Sequence, residues 1–112
     1  MTGVESADSL AQLRAHLRQF AAERDWAQFH NPKNLAASVA IEAAEILEHF
    51  QWLTPEQSAA LPEAQRAAVA HEIADVLLYL VRLADILDID PVEAAYEKIV
   101  INARKYPVVR SL

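Results

Sequence analysis

The sequence predicts an all-α protein, a four-helix bundle that assembles as an oligomer, and three observations carry that reading. The first is glycine: the 112 residues contain only Gly3, whereas the tight turns of a β-protein depend on glycine to reach positive φ. The second is the placing of five prolines, Pro32, Pro55, Pro62, Pro91 and Pro107, which fall between segments whose apolar residues recur with the helical period. The third is a hydrophobic fraction of 54%, above the roughly 45–50% usual in soluble domains. A chain of this length has room for one core and one domain, taken as residues 1–112. So small a core cannot hide that much apolar surface, and part of it is expected to lie between subunits.

The first helix is expected from Ser6 or Asp8 to Arg24, with Leu10, Leu13, Leu17 and Phe20 as its apolar stripe. Residues 25–32, Asp-Trp-Ala-Gln-Phe-His-Asn-Pro, read as a loop closed by the proline. The second helix covers Lys33 to Trp52. Thr54-Pro55-Glu56-Gln57 is a helix start, with Thr54 as N-cap, proline in the first turn and Gln57 completing a capping box. It opens only a short turn before Pro62. The third main helix runs from Glu63 to Leu87. Asp90-Pro91-Val92-Glu93 then starts a fourth, which ends near Lys105 because Pro107 forbids continuation.

Composition narrows the function classes. With no cysteine there are neither disulfides nor thiolate metal sites. The first ten residues do not read as a signal peptide, and no apolar run approaches the roughly 18 residues of a membrane span. A soluble, cytoplasmic protein without a membrane partner is expected. The net charge of −6 disfavours extended nucleic acid, which is bound by neutralising phosphates with Lys and Arg. It leaves room for one small polyphosphate, because a bound divalent ion inverts the local field.

Four acidic residues sit where a helix should be apolar. Around the second helix, Leu35, Val39, Ile46 and Leu53 fall within about 60° of Glu42, and Glu45 about 60° to the other side. Around the third, Val69, Val76, Leu83 and Leu87 stand in the same relation to Glu72, and Asp75 flanks it in turn. An isolated buried carboxylate is costly, and a hard divalent cation held among several oxygens relieves that cost. The i, i+3 spacing puts two carboxylates side by side, and two such helices face to face offer four. All are oxygen donors, which favours Mg²⁺ or Mn²⁺ over Zn²⁺. A single Glu-x-x-Glu is most often a solvated edge; two, both flush with apolar stripes, weaken that reading. A di-iron bundle would need Glu-x-x-His pairs, and positions 48 and 78 hold Glu48 and Leu78.

Glu42-x-x-Glu45 followed by Glu72-x-x-Asp75 resembles the signature of the MazG-like all-α nucleoside triphosphate pyrophosphohydrolases. Further segments are similar to the dCTP pyrophosphatase branch of that family: residues 20–26 (FAAERDW), 28–30 (QFH), 50–52 (FQW), 75–80 (DVLLYL) and 98–107 (KIVINARKYP). The resemblance spans residues 10–107. It implies an oligomer, a tetramer first and a dimer second, with Mg²⁺ held by Glu42, Glu45, Glu72 and Asp75. It also implies hydrolysis between the α- and β-phosphates of a nucleoside triphosphate, with cytosine deoxynucleotides as expected substrates. Two positions depart from the branch: Val100 stands where Asp is frequent and Leu17 where a His is frequent, with His16 adjacent. Both leave the metal chemistry intact and put the base preference in question.

Within that frame Glu45 is the candidate to take the proton of the attacking water. Trp26 and Trp52, each at a helix–loop junction, are candidates to stack on a base, with core packing or an interface as the alternative for each. Tyr79, one turn beyond Asp75, either contacts the sugar or caps the core. His30 is a candidate nucleotide contact on the strength of the resemblance. Lys98, Asn102 and Lys105, at i, i+4 and i+7, form either a solvated stripe or a phosphate-holding edge, with Lys33 a weaker candidate. His49, one turn after Glu45, reads as structural or as a support to the metal ligands. Competing functions are the same chemistry on dUTP or another non-canonical triphosphate, and a catalytically silent helical scaffold.

Overall fold

The computed structural model describes residues 9–109. Its elements in chain order are α1 (Leu10–Glu23), a single 3-10 turn (Trp26–Gln28), α2 (Pro32–Phe50), the one-turn α3 (Pro55–Ser58), α4 (Glu63–Ile86) and α5 (Pro91–Lys105). There is no strand among the described residues, as the scarcity of glycine leads one to expect.

Side-chain caps set most of the helix starts. Asn31 accepts from the backbone N–H of Asn34 at 2.9 Å, so α2 opens at Pro32, where proline's missing N–H costs nothing. The expected loop over residues 25–32 therefore contains a helical turn, and its proline begins α2 instead of closing the loop. Thr54 and Gln57 make the reciprocal capping box at 3.1 and 3.0 Å. Asp90 accepts from Val92 and Glu93 at 3.0 and 3.1 Å and starts α5. Ser9 caps α1, accepting from Gln12 at 3.3 Å; the expected start at Ser6 or Asp8 lies outside the described residues.

Two helix ends need a left-handed residue, the usual place of glycine, and here aspartate takes it: Asp25 at φ 53° and Asp88 at φ 55°. At the end of α4 the N–H of Ile89 donates to Ala84 O at 2.8 Å and that of Asp88 to Asp85 O at 3.1 Å. This is the paired bonding of a Schellman motif, with Asp88 in its left-handed position.

The packed centre is a hairpin of α2 and α4, with α1 laid against α4. The two long helices run antiparallel, so His30, just before α2, meets Arg82 far along α4, while His49 meets Glu72 earlier on it. Leu35, Val69, Val81 and Ala21 are buried there. Arg18 of α1 grips Asp85 of α4 with two nitrogens, at 2.7 and 2.5 Å, a paired geometry specific to guanidinium and carboxylate. Helix α5 shares no extended packing with another helix among the described residues, so one chain brings together three of the four main helices.

That leaves one chain open. Its radius of gyration is 17.5 Å, against about 13 Å for a compact chain of this length. Its accessible surface is 9040 Å², against about 6,200 Å² for a folded monomer of this mass. The excess is apolar in large part: Ile41, Leu47, Ile73, Leu77, Leu80, Tyr96, Ile99 and Ile101 are all exposed. Among the described residues no helix is long and apolar enough to cross a membrane.

Candidate metal centre

The α2–α4 hairpin does with Glu42, Glu45 and Glu72 what the helical spacing requires. Leu35, two turns before Glu42, and Val69, one turn before Glu72, are buried in the seam. The acids on the same faces are drawn toward it. Oxygens of the three carboxylates lie within 4.8 Å of one another. Asp75, on the exposed side of α4, is near enough for its charge to act on Glu42 and Glu72.

So many acids in one place cannot all ionise freely. Glu42 is pushed up to about 7, first by a hydrogen bond shared with Glu45, then by burial and by the charges of Glu45, Asp75 and Glu72. Glu72 is raised as well, again led by its hydrogen bond with Glu45 and then by burial. Oε2 of Glu42 and Oε2 of Glu72 are shut off from solvent without a hydrogen-bond partner. His49 Nε2 stands 4.0 Å from Glu72 Oε1, too far for a hydrogen bond. Two orphaned acceptors within a set of hard oxygen donors fit a divalent cation, which satisfies the lone pairs and offsets the charge at once. The cluster can hold a metal.

The other candidates are spread more widely. Trp26 is partly exposed, packed edge-to-face with Phe20 at 5.3 Å between ring centroids and tilted against His30 at 5.5 Å. Arg24 lies over the Phe20 ring. His30 is half-buried, and burial together with the positive charge of Arg82 holds its pKa below the ordinary value. Tyr79 is half-buried on α4. Trp52, past the end of α2, is 87% exposed and so belongs to no core within the chain. Lys98, Asn102 and Lys105 ride on α5, and Lys33 is exposed in the first turn of α2. Because α5 makes no extended contact with the hairpin, one chain does not pack its cations against the carboxylates.

The residues that sequence reasoning missed are Arg18, Arg82 and Asp85. Arg82 Nε donates to His30 Nδ1 at 3.2 Å, and Arg82 Nη1 stands 3.8 Å from the Asp85 carboxylate that Arg18 grips. Arg18 holds Asp85 well below the usual carboxylate range, through hydrogen bonds first. A signal existed: Arg82 and Asp85 are the charged residues of the otherwise apolar run from Val76 to Leu87, opposite in sign and three apart.

Comparison with known proteins points one way. The sequence model of the MazG-like family matches residues 37–111. Human dCTP pyrophosphatase 1 is 43% identical over 102 residues, covering 88% of this chain and 59% of that protein. Mouse dCTP pyrophosphatase 1 is 41% identical over 102 residues, covering 89% and 60%. The chain thus spans about three fifths of the length of these curated relatives. A crystal structure of a pyrophosphatase from Archaeoglobus fulgidus superposes with a TM-score of 0.84 at 41% identity, over 95% of this chain and 100% of that one.

Proposed function

This chain belongs to the MazG-like family, and on that premise we propose that it is a Mg²⁺-dependent nucleoside triphosphate pyrophosphohydrolase. The reaction is (d)NTP + H₂O → (d)NMP + pyrophosphate, with dCTP or a base-modified dCTP as substrate and Mn²⁺ as a substitute ion. The observation that carries it is the set of three carboxylates within 4.8 Å, two of them with orphaned oxygens. Likeness to a pyrophosphatase and to dCTP pyrophosphatases supports the reaction.

Glu42, Glu45, Glu72 and Asp75 would hold the ion. When bound, Mg²⁺ offsets the charge on phosphate oxygens and acidifies a water. Glu45, whose carboxylate lies within 4.8 Å of those of Glu42 and Glu72, is the acceptor for that water's proton. The indoles of Trp26 and Trp52 offer stacking faces for the base, worth about 1–3 kcal/mol each, and Tyr79 offers a hydroxyl to the sugar. Lys98, Asn102 and Lys105 hold the phosphates from another copy, since α5 makes no extended contact with its own hairpin. The oligomer, a tetramer or a dimer, completes the four-helix bundle and covers the exposed apolar faces. The setting is cytoplasmic, with no nucleic-acid or membrane partner.

Val100 and Leu17 depart from the dCTP branch, so dUTP or another non-canonical triphosphate is the alternative substrate. The test is incubation with Mg²⁺ and a panel of canonical and modified (d)NTPs, with products resolved by chromatography. Monophosphate plus pyrophosphate, lost with EDTA and in Glu72→Ala, is expected. Release of orthophosphate, or turnover indifferent to EDTA, would sink the assignment. No turnover of any triphosphate would leave the silent scaffold.

A further inference from the structure

Outside the carboxylate cluster, the most specific polar geometry lies where α1, α4 and the turn before α2 converge. Arg82 sits in an apolar run of α4 with its side chain 12% exposed. Its Nε–H donates to Nδ1 of His30 at 3.2 Å. Asp85, 3.8 Å from Arg82 Nη1, is itself held by Arg18. A guanidinium is always protonated and has donors only. The imidazole nitrogen that faces it must therefore carry the lone pair, and the ring proton resides on Nε2. Burial and the neighbouring cation both oppose a second proton on the ring. Beside this imidazole lies the Trp26 indole, itself packed edge-to-face with Phe20.

We propose that Arg82 is a positioning residue that fixes His30 as a neutral imidazole, its Nε2–H turned away from α4 as a hydrogen-bond donor next to the Trp26 ring. This rests on the nucleotide reading and names the group the histidine meets: an uncharged acceptor on the base, a carbonyl oxygen or ring nitrogen. A cation there would draw the triphosphate itself, because the attraction of opposite charges outweighs a neutral hydrogen bond. A neutral donor at the edge of an aromatic face favours the base over the phosphates. The Arg18–Asp85 pair keeps the guanidinium from swinging toward solvent.

The test uses the full chain with ¹⁵N-labelled histidine. At neutral pH, His30 is expected to show an unprotonated Nδ1 and a protonated Nε2; a proton on Nδ1 overturns the proposal. Kinetics on the fastest triphosphate read the rest. Arg82→Leu is expected to raise KM about tenfold, the worth of one hydrogen bond, with kcat within about twofold. Arg82→Gln, which keeps an N–H donor without the charge, is expected to return KM to within about threefold of the parent. His30→Phe should match Arg82→Leu, and combining the two should add nothing. An unchanged KM in Arg82→Leu, an equal loss in kcat, or a Gln variant no better than Leu contradicts it. Should Arg82→Leu fail to fold, Arg82→Gln and His30→Phe decide by the same measures. Absence of turnover in the parent protein refutes the reaction, and the histidine spectrum still decides the positioning.

Discussion

Ile73, Leu77 and Leu80 follow one another at i, i+4 and i+7 on α4, a single stripe that lies exposed in the chain. If copies of the chain cover it, truncating two members should loosen the assembly by an amount the exposures set. Leu77 is 40% and Leu80 44% exposed, together a little less than one whole leucine side chain. Burying a leucine fully is worth about 1.5–3 kcal/mol, so the pair offers roughly 1.3–2.5 kcal/mol per copy. Across a two-fold contact each substitution counts twice, giving about 2.5–5 kcal/mol, or roughly a hundredfold and upward in the dissociation constant. The fractions already buried in the chain are lost whether or not it associates, so fold stability cannot make this distinction. Sedimentation or light scattering over a dilution series can. The parent chain should associate at micromolar concentration, and Leu77→Ala/Leu80→Ala should dissociate at about hundredfold higher concentration. A parent protein that sediments as a monomer, or a variant that associates equally well, would show that this stripe is not covered by another copy.

Two further expectations concern the fold and the metal-free site. Asp88 puts a side chain at φ 55° and a negative charge at the negative end of the α4 dipole. Asp88→Gly should therefore raise stability by about 0.5–1 kcal/mol in thermal or urea unfolding, and a variant that melts lower would contradict the strain argument. Glu42, raised from 4.5 to about 7 in the folded chain, contributes stability that is complete below its unfolded value. That contribution disappears as pH rises through the folded one. With EDTA, the urea midpoint should fall between about pH 5 and pH 8; with Mg²⁺ the fall should be cancelled, because binding needs ionised carboxylates. A midpoint that rises over that range with EDTA would show that the cluster is not frustrated.

What the sequence made legible was whatever short-range chemistry decides. The capping residues Thr54 and Asp90 and the stop before Pro107 needed only local rules, and they stand within a residue or two of the expected places. The approach of Glu42, Glu45 and Glu72 followed from helical spacing plus the need of two apolar faces to meet. Long-range polar choices were harder. Arg18 and Asp85 are 67 positions apart and Arg82 and His30 are 52 apart, and no periodicity says which charge on one helix finds which on another. The place of α5 was beyond a one-chain reading for a different reason. A four-helix bundle needs its fourth helix packed, yet Tyr96, Ile99, Val100 and Ile101 of α5 remain exposed, and helical periodicity does not say whether a helix's partner is the same chain or another copy.

Whether the carboxylate cluster is a metal centre is decided by the binding of Mn²⁺ to the nucleotide-free protein, followed by electron paramagnetic resonance near pH 7.5. Saturable binding is expected, displaced by Mg²⁺ and abolished in Glu45→Ala, whose carboxylate joins those of Glu42 and Glu72. Binding that never saturates, or that persists undiminished without Glu45, would mean that the four acids form a charged edge and not a metal centre.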